Sequence, residues 1–512
     1  MVERRVYLTS MKIILIIAGI KLLAHFLTNT VYGFHRDEFL YVALGRHMDW
    51  GFLEVPPLTP LIAWLTEILF GSSLFAVRLF PALAGAAMVI FTGLIARELG
   101  GNRFAQFLAA FCVLVSVAYL RVSTLFTPDG FNQTFWVAGA WLLLRALKTN
   151  EPKQWIWFGV VCGLGLLNKY TMLLFGFSVL VGLIFTRKRQ VLLTRWPWIS
   201  AGIALLIFFP NLVWQHRMGW PFFQHMEALS ETQLVNVGTA GFLFMQILMN
   251  MFTAPIWLVG LVYSFRNKED RTFRVLGWLY VVSLLVLLRF GGKAYYLLPA
   301  YPMLFALGAV VFERFYQGTV KKWIMPVYLS LVILGLIVFL PYGLPVMPVD
   351  SLQSYVQFMG RHGFSELLRW EDGRLHNLPQ EFADMFGWEE QVMAVEEIYS
   401  NLSQSDKDRC IIIAGSYGEA GAIDYYSDKY NLPGAISVSS SYYTWGYEDA
   451  SADVALTIGI GEEALNRYFG SVELKKVITH NIAREDSIPL FVCRDPVETL
   501  EQLWPTFKEF RF

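Results

Sequence analysis

Residues 31–57 read VYGFHRDEFLYVALGRHMDWGFLEVPP, placing two adjacent carboxylates, Asp37 and Glu38, directly after the first hydrophobic segment of lipid-spanning length. An acidic pair at a membrane boundary, followed by polar and aromatic residues and a double proline, is poor lipid-facing material. It is reasonable lining for a site. From this stretch the rest of the chain can be read outward.

The 512 residues are 55% hydrophobic and only 16% charged, which is too apolar for a soluble globular protein and places the chain among polytopic membrane proteins. A bilayer core of about 30 Å takes roughly 20 apolar residues as a helix, which satisfies its own backbone hydrogen bonds. Spans are expected at 13–31, 74–95, 104–120, 131–147, 155–167, 170–185, 198–214, 241–265, 275–288, 295–312 and 323–340, about eleven in all. The first is read as a retained anchor, since no A-x-A cleavage site follows it.

Basic residues set the orientation. Arg4, Arg5 and Lys12 precede the first span, and alternate connections carry Arg97 and Arg103, Lys148 and Lys153, Arg187-Lys188-Arg189, Arg266 with Lys268 and Arg271, and Lys321-Lys322. The N-terminus is therefore expected in the cytoplasm. The Asp37 loop, the turns at Asp129, Lys169 and Lys293, the loop over 215–239 and everything after Leu340 are expected outside it. Lys21 and His25, one helical turn apart in the first span, share a face turned into the bundle.

Within the first outward loop, 37–48 has the spacing of an interfacial amphipathic helix, and 60–69 reads as a second short helix. Asp129 in TPDG stands where the fourth span begins; it reads either as a helix cap or as a second carboxylate of one site. Lys169 in LLNKYT is either snorkelling or serving that site. Trp214, His216, Trp220 and His225 form an aromatic outward loop, which an interfacial belt explains without a ligand. His216 and His225 lack the i, i+4 spacing of a helical metal pair; no cofactor is called for, and a divalent metal is left open. In RFGGKAYYLLPAYP, residues 289–302, Lys293, Tyr295 and Tyr296 suit a phosphate as well as they suit membrane anchoring.

Beyond about Pro345 the composition turns polar, dividing the chain into a membrane part (1–345) and a soluble extracytoplasmic α/β domain (346–512). Strands are expected at 410–414, 435–438, 454–458 and 490–493, and helices near 388–402, 419–429 and 496–510. The run GSYGEAG, 415–421, follows a strand and opens a helix, but matches no nucleotide-binding pattern. Cys112 and Cys162 read as packing residues within spans; pairing of Cys410 with Cys493 is left open. A formal net charge of zero with no dense basic patch gives no reason to expect nucleic acid.

Taken in order, HRDEFLY, the double proline, LFAVRLFPALAG, TPDG, GLGLLNKYT, WQHRMGWPFF and GKAYYLLPAYP resemble bacterial members of the protein mannosyltransferase and aminoarabinose transferase superfamily, the type C glycosyltransferases. The resemblance runs from about Arg36 to Pro302. It implies an inner-membrane enzyme taking a hexosyl or pentosyl group from a polyprenyl-phosphate carrier, with inversion, to a hydroxyl on a glycan, lipid A or protein. It further implies that Asp37 is the principal catalytic carboxylate and Asp129 the second acid, while Lys293 and Tyr296 belong to the carrier-phosphate region. Glu38, Glu54, Lys169, His216 and Tyr295 complete the candidate binding set. Glu54 departs from the family, where several relatives carry a basic residue before the double proline. The competing reading is a polytopic transporter, against which no internal repeat and no matched pair of broken helices is found.

Overall fold

The computed structural model describes residues 2–267, 273–318, 322–447, 453–485 and 487–511. Lys268, Arg271 and Lys321, used above for orientation, lie outside the described residues. All the expected hydrophobic segments fall on helices. Six described helices are long and apolar enough to cross a membrane, or seven if the pair Thr239–Leu248 and Met251–Arg266, bent by 70°, forms one span. The expected count of eleven is not reached by that measure. The segment 104–120 breaks at Ser116, whose extended backbone (ψ 114°) separates Arg103–Val115 from Val117–Val122. At about 1.5 Å per residue, the first piece alone reaches only about 20 Å.

Lys21 and His25 are fully buried, as their shared inward face requires, and their partners come from one neighbouring segment. Lys21 Nζ donates to the Tyr119 carbonyl at 3.0 Å, and His25 Nδ1 lies 3.3 Å from Thr124 Oγ1. A helix pair elsewhere packs backbone to backbone: a Cβ at Gly308 would collide with the Ile256 carbonyl.

The C-terminal αβ region holds a five-stranded sheet in the order β2-β1-β3-β5-β4. Its strands are β1 (Cys410–Ala414), β2 (Ala435–Ser437), β3 (Val454–Ile458), β4 (Phe469–Thr479) and β5 (Ser487–Pro496). The first three run parallel, and β5 returns antiparallel between β3 and β4. β4 escaped the sequence reading because it is an edge strand whose exposed positions carry Glu473, Lys475 and Lys476, charges that blunt an open edge and mask the strand pattern. The helix expected over 496–510 starts later, after β5 ends at Pro496, as a one-turn α-helix Leu500–Leu503 that continues into a 3₁₀ helix, Trp504–Arg511. All four cysteines are free, Cys410 and Cys493 included.

The helix Arg36–Arg46 corrects a further expectation. It is not interfacial: residues 38 to 45 are all buried. Phe39, Leu40 and Ala43 share one core with Trp388, Val392, Ala420 and the sheet residues Ile412 and Leu456. The apolar face that suggested a lipid surface is covered by the C-terminal region. The same helix is tied to the membrane part through Glu38, whose carboxylate forms a two-point ion pair with Arg78 (2.9 and 2.7 Å). Neither side chain is exposed at all. Glu38 also accepts from the Phe126 and His35 backbone N–H groups at 2.9 and 2.8 Å. Arg78 in turn donates to the carbonyls of Asn29 and Gly33. Four separate chain segments are thus fixed to one another.

Removing one member of such a pair leaves a buried charge uncompensated, which costs about 3–5 kcal/mol. Glu38→Gln is therefore expected to lower the melting temperature of the purified protein sharply, as followed by differential scanning fluorimetry; an unchanged transition would refute this role.

Candidate functional site

The helix Arg36–Arg46 starts with a reciprocal cap that fixes where Asp37 points. His35 Nδ1 accepts from the Asp37 backbone N–H at 3.1 Å, while Glu38 reaches back to the His35 N–H. Because neighbouring helix positions do not share a face, Glu38 turns to Arg78 and Asp37 turns to a cavity of about 1510 Å³. There Asp37 Oδ1 accepts from the Tyr417 hydroxyl at 2.8 Å.

Asp129 enters the same cavity from the first turn of Pro128–Thr149. It is not the helix cap, which is Thr127. Its carboxylate pairs with Lys169 Nζ at 2.6 Å. The Asn168-Lys169 turn is held against this loop because Asn168 donates to the Pro128 carbonyl at 2.8 Å and accepts from Thr59 Oγ1 at 2.9 Å. Lys169 is therefore inside the site and not snorkelling; its ammonium stands 4.8 Å from the Tyr296 ring centroid and 5.7 Å from that of Tyr295. Lys293, beside the same tyrosines, forms an ion pair with Glu371 from the C-terminal region.

Charges across the cavity set the protonation of these groups. Burial pushes the Asp37 carboxyl up, but His35, the Tyr417 hydrogen bond, Arg36 and Arg484 together hold it below the usual carboxylate range. Burial lowers the Lys293 ammonium, yet Glu371, Tyr296 and the charge of Asp37 raise it further than burial takes it down. Burial pushes Asp384 up, against the pull of His35 and Arg484. His225 is brought down to about 4 by burial and by the Lys293 charge. The cavity thus sets an ionised Asp37 near a charged Lys293.

Of the candidate residues, Asp37, Asp129, Glu54, Lys169, Lys293, Tyr295 and Tyr296 all line this one cavity. Two do not. Glu38 belongs to the buried ion pair, so the ligand role expected of it gives way to a structural one. His216 sits exposed at the end of Trp196–Arg217, its ring 6.1 Å from that of Trp220. Glu54 is at the wall but already engaged: its two oxygens accept from the Ser441 N–H and hydroxyl, each at 2.6 Å. Among the described residues, no group of three or more His, Cys, Asp and Glu side chains is arranged to hold a metal ion.

Sequence reasoning missed the contribution of the C-terminal region, namely Glu371, Asp384, Tyr417 and Arg484 on the cavity wall. Asp384 holds Arg484 through both its oxygens at 3.1 Å and lies 3.5 Å from His35 Nε2. One signal was present: Tyr417 lies in the GSYGEAG run, whose strand–turn–helix setting presents its side chain at the end of β1. Part of the lining is apolar, with Phe242, Met245, Leu248, Leu287 and Phe290 along the bent helix pair and its neighbour.

Residues 54–214 match the family model for dolichyl-phosphate-mannose-protein mannosyltransferases. No curated protein sequence matches the chain. Among solved structures, apo ArnT from Cupriavidus metallidurans superposes with a TM-score of 0.63 at 15% identity, covering 93% of this chain and 97% of that one. ArnT from the same organism bound to undecaprenyl phosphate gives 0.60 at 14% identity with the same coverage. What is shared at that identity is the fold, an α-helical polytopic membrane architecture with a small C-terminal sheet domain. It agrees with the resemblance carried by the sequence motifs.

The close seat of the C-terminal region depends on Gly421, where a Cβ would stand 2.7 Å from that of Phe39 and 3.1 Å from its backbone carbonyl carbon. Gly421→Leu should therefore pry the helix Tyr417–Tyr430 off Arg36–Arg46. Limited proteolysis is expected to release the C-terminal region faster than in the wild type, whereas equal protection would show that the contact does not depend on that glycine.

Proposed function

We propose that the protein is a membrane glycosyltransferase that moves a sugar from a polyprenyl-phosphate carrier to an acceptor hydroxyl, on the extracytoplasmic side of a bacterial inner membrane. The observation that carries this reading is one cavity that sets the ionised Asp37 and the cations Lys169 and Lys293 beside an apolar wall. A lipid-linked sugar phosphate has those three requirements: a base for the acceptor, positive charge for the phosphate and hydrocarbon for the prenyl chain. The family match over 54–214 and the fold shared with ArnT support it. A transporter reading leaves the buried, ionised Asp37 without a task.

Sugar transfer passes through an oxocarbenium-like state. Asp37 takes the acceptor proton as the acceptor oxygen bonds to the anomeric carbon, and the bond from that carbon to the phosphate oxygen breaks. Attack from the side opposite the phosphate inverts the anomeric configuration. The departing phosphate is a stable anion and needs no proton; Lys169 and Lys293 neutralise it, with the Tyr295 and Tyr296 hydroxyls within the same cavity. Asp129 and Glu371 pair with these lysines, so the incoming phosphate exchanges with them. The hydrocarbon chain rests on the wall of Phe242, Met245 and Leu248.

Incubation with radiolabelled polyprenyl-phosphate sugars and a cell-envelope extract as acceptor should release free carrier phosphate in step with transfer. Asp37→Asn is expected to slow this by about 10²- to 10⁴-fold while carrier binding persists; wild-type rates in that variant would sink the assignment. Glu371→Gln removes the anion competing for Lys293 and is expected to tighten binding of polyprenyl phosphate severalfold in a titration, whereas weaker or equal binding would mean that no exchange occurs.

A further inference from the structure

The base proposed above does not stand alone in the membrane part. Among the described residues, the Tyr417 hydroxyl is the single side-chain donor to the Asp37 carboxylate, and it engages Oδ1. Among the described residues no hydrogen bond reaches Oδ2, and Asp37 lines the cavity. Tyr417 is itself held in place: the Arg36 guanidinium lies 4.4 Å from its ring centroid, and Gly418 next to it packs closely against Arg36 and Trp388. Both Tyr417 and Asp37 line the cavity wall.

We infer that Tyr417 is a positioning residue for Asp37, pinning one carboxylate oxygen so that the other meets the acceptor hydroxyl, and that the base is complete only when the C-terminal region is docked. This rests on the glycosyltransferase reading. The chemistry of the pair suits the task. Burial and the charge of Asp37 push the Tyr417 hydroxyl well above its ordinary range, so it stays a donor and does not compete as a base. Removing that donor takes away a charge-assisted hydrogen bond that favours the ionised form of Asp37.

The other groups facing Asp37 remain in place when the hydroxyl is removed. They are His35, Arg36 and Tyr41 from its own segment, Arg484 and Asp384 from the C-terminal region, and Lys293 with Tyr295 from the neighbouring turn. Because Asp37 acts ionised, raising its pKa costs activity first at low pH. The acid limb of the rate profile then moves to higher pH.

The test is Tyr417→Phe, assayed as initial rates of polyprenyl-phosphate-sugar turnover per folded enzyme across pH. The expected result is a kcat about tenfold lower near neutrality, a donor KM changed by less than about twofold, and an acid limb of kcat/KM displaced upward. An unmoved limb, or a loss confined to KM, overturns the inference. If the phenylalanine form yields no folded enzyme, the same limb is read in Tyr417→His, whose ring N–H reaches less far: displacement supports the role and no displacement overturns it. Asp37→Asn in the same assay separates the two levels. Wild-type turnover there defeats the glycosyltransferase chemistry itself, whereas an inactive Asp37→Asn beside a normal Tyr417→Phe defeats only the role of Tyr417.

Discussion

The buried ion pair between Glu38 and Arg78 is the constraint on which the site depends. Two opposite charges with no solvent contact are stable only if every lone pair and proton finds a partner. Here the carboxylate accepts from Arg78 twice and from two backbone N–H groups, while the guanidinium also donates to two carbonyls. Those partners come from the end of the first helix, the 33–38 turn, the start of Leu79–Glu98 and the segment that precedes Asp129. The pair need not add much net stability to matter. It permits one arrangement of four segments, and that arrangement brings the Asp37 turn and the Asp129 loop to a common cavity.

The adjacency of Asp37 and Glu38 acquires its meaning from the same constraint. One residue is consumed in holding the segments, and the helix then turns its neighbour by about 100° toward the opening. The cap built from His35 and Glu38 fixes that rotation at the first turn. A single acidic residue at this point could not both anchor the loop and remain available to a ligand.

How far the sequence could be read follows from the range of the interactions involved. The hydrophobic segments were legible because lipid length and apolarity are local properties, and Asp37, Asp129, Lys169 and Lys293 stood out because charges are rare in such a chain. Glu38 was misread because its partner lies 40 positions away, within an apolar run where Arg78 drew no attention. The helix Arg36–Arg46 looked interfacial since amphipathicity reports an apolar face, not what covers it; the cover, Trp388 and the helix Tyr417–Tyr430, comes from the far end of the chain. Tyr417 sits 380 positions from Asp37 and Glu371 sits 78 from Lys293, separations that no local pattern encodes.

The lysines on the cavity wall are also matched by carboxylates, and this bears on how the cavity would accept a charged donor. Lysines partly withdrawn from solvent are costly if left without counter-charge. Asp129 and Glu371 supply that charge, at Lys169 and Lys293 respectively. On the proposed reading, a lipid phosphate entering the cavity pairs with both lysines, so that the ammonium groups keep a counter-charge throughout. On the same reading, the carboxylates displaced from the lysines become available to accept from hydroxyls of the attached sugar, Glu371 keeping its bond from the Gln380 amide.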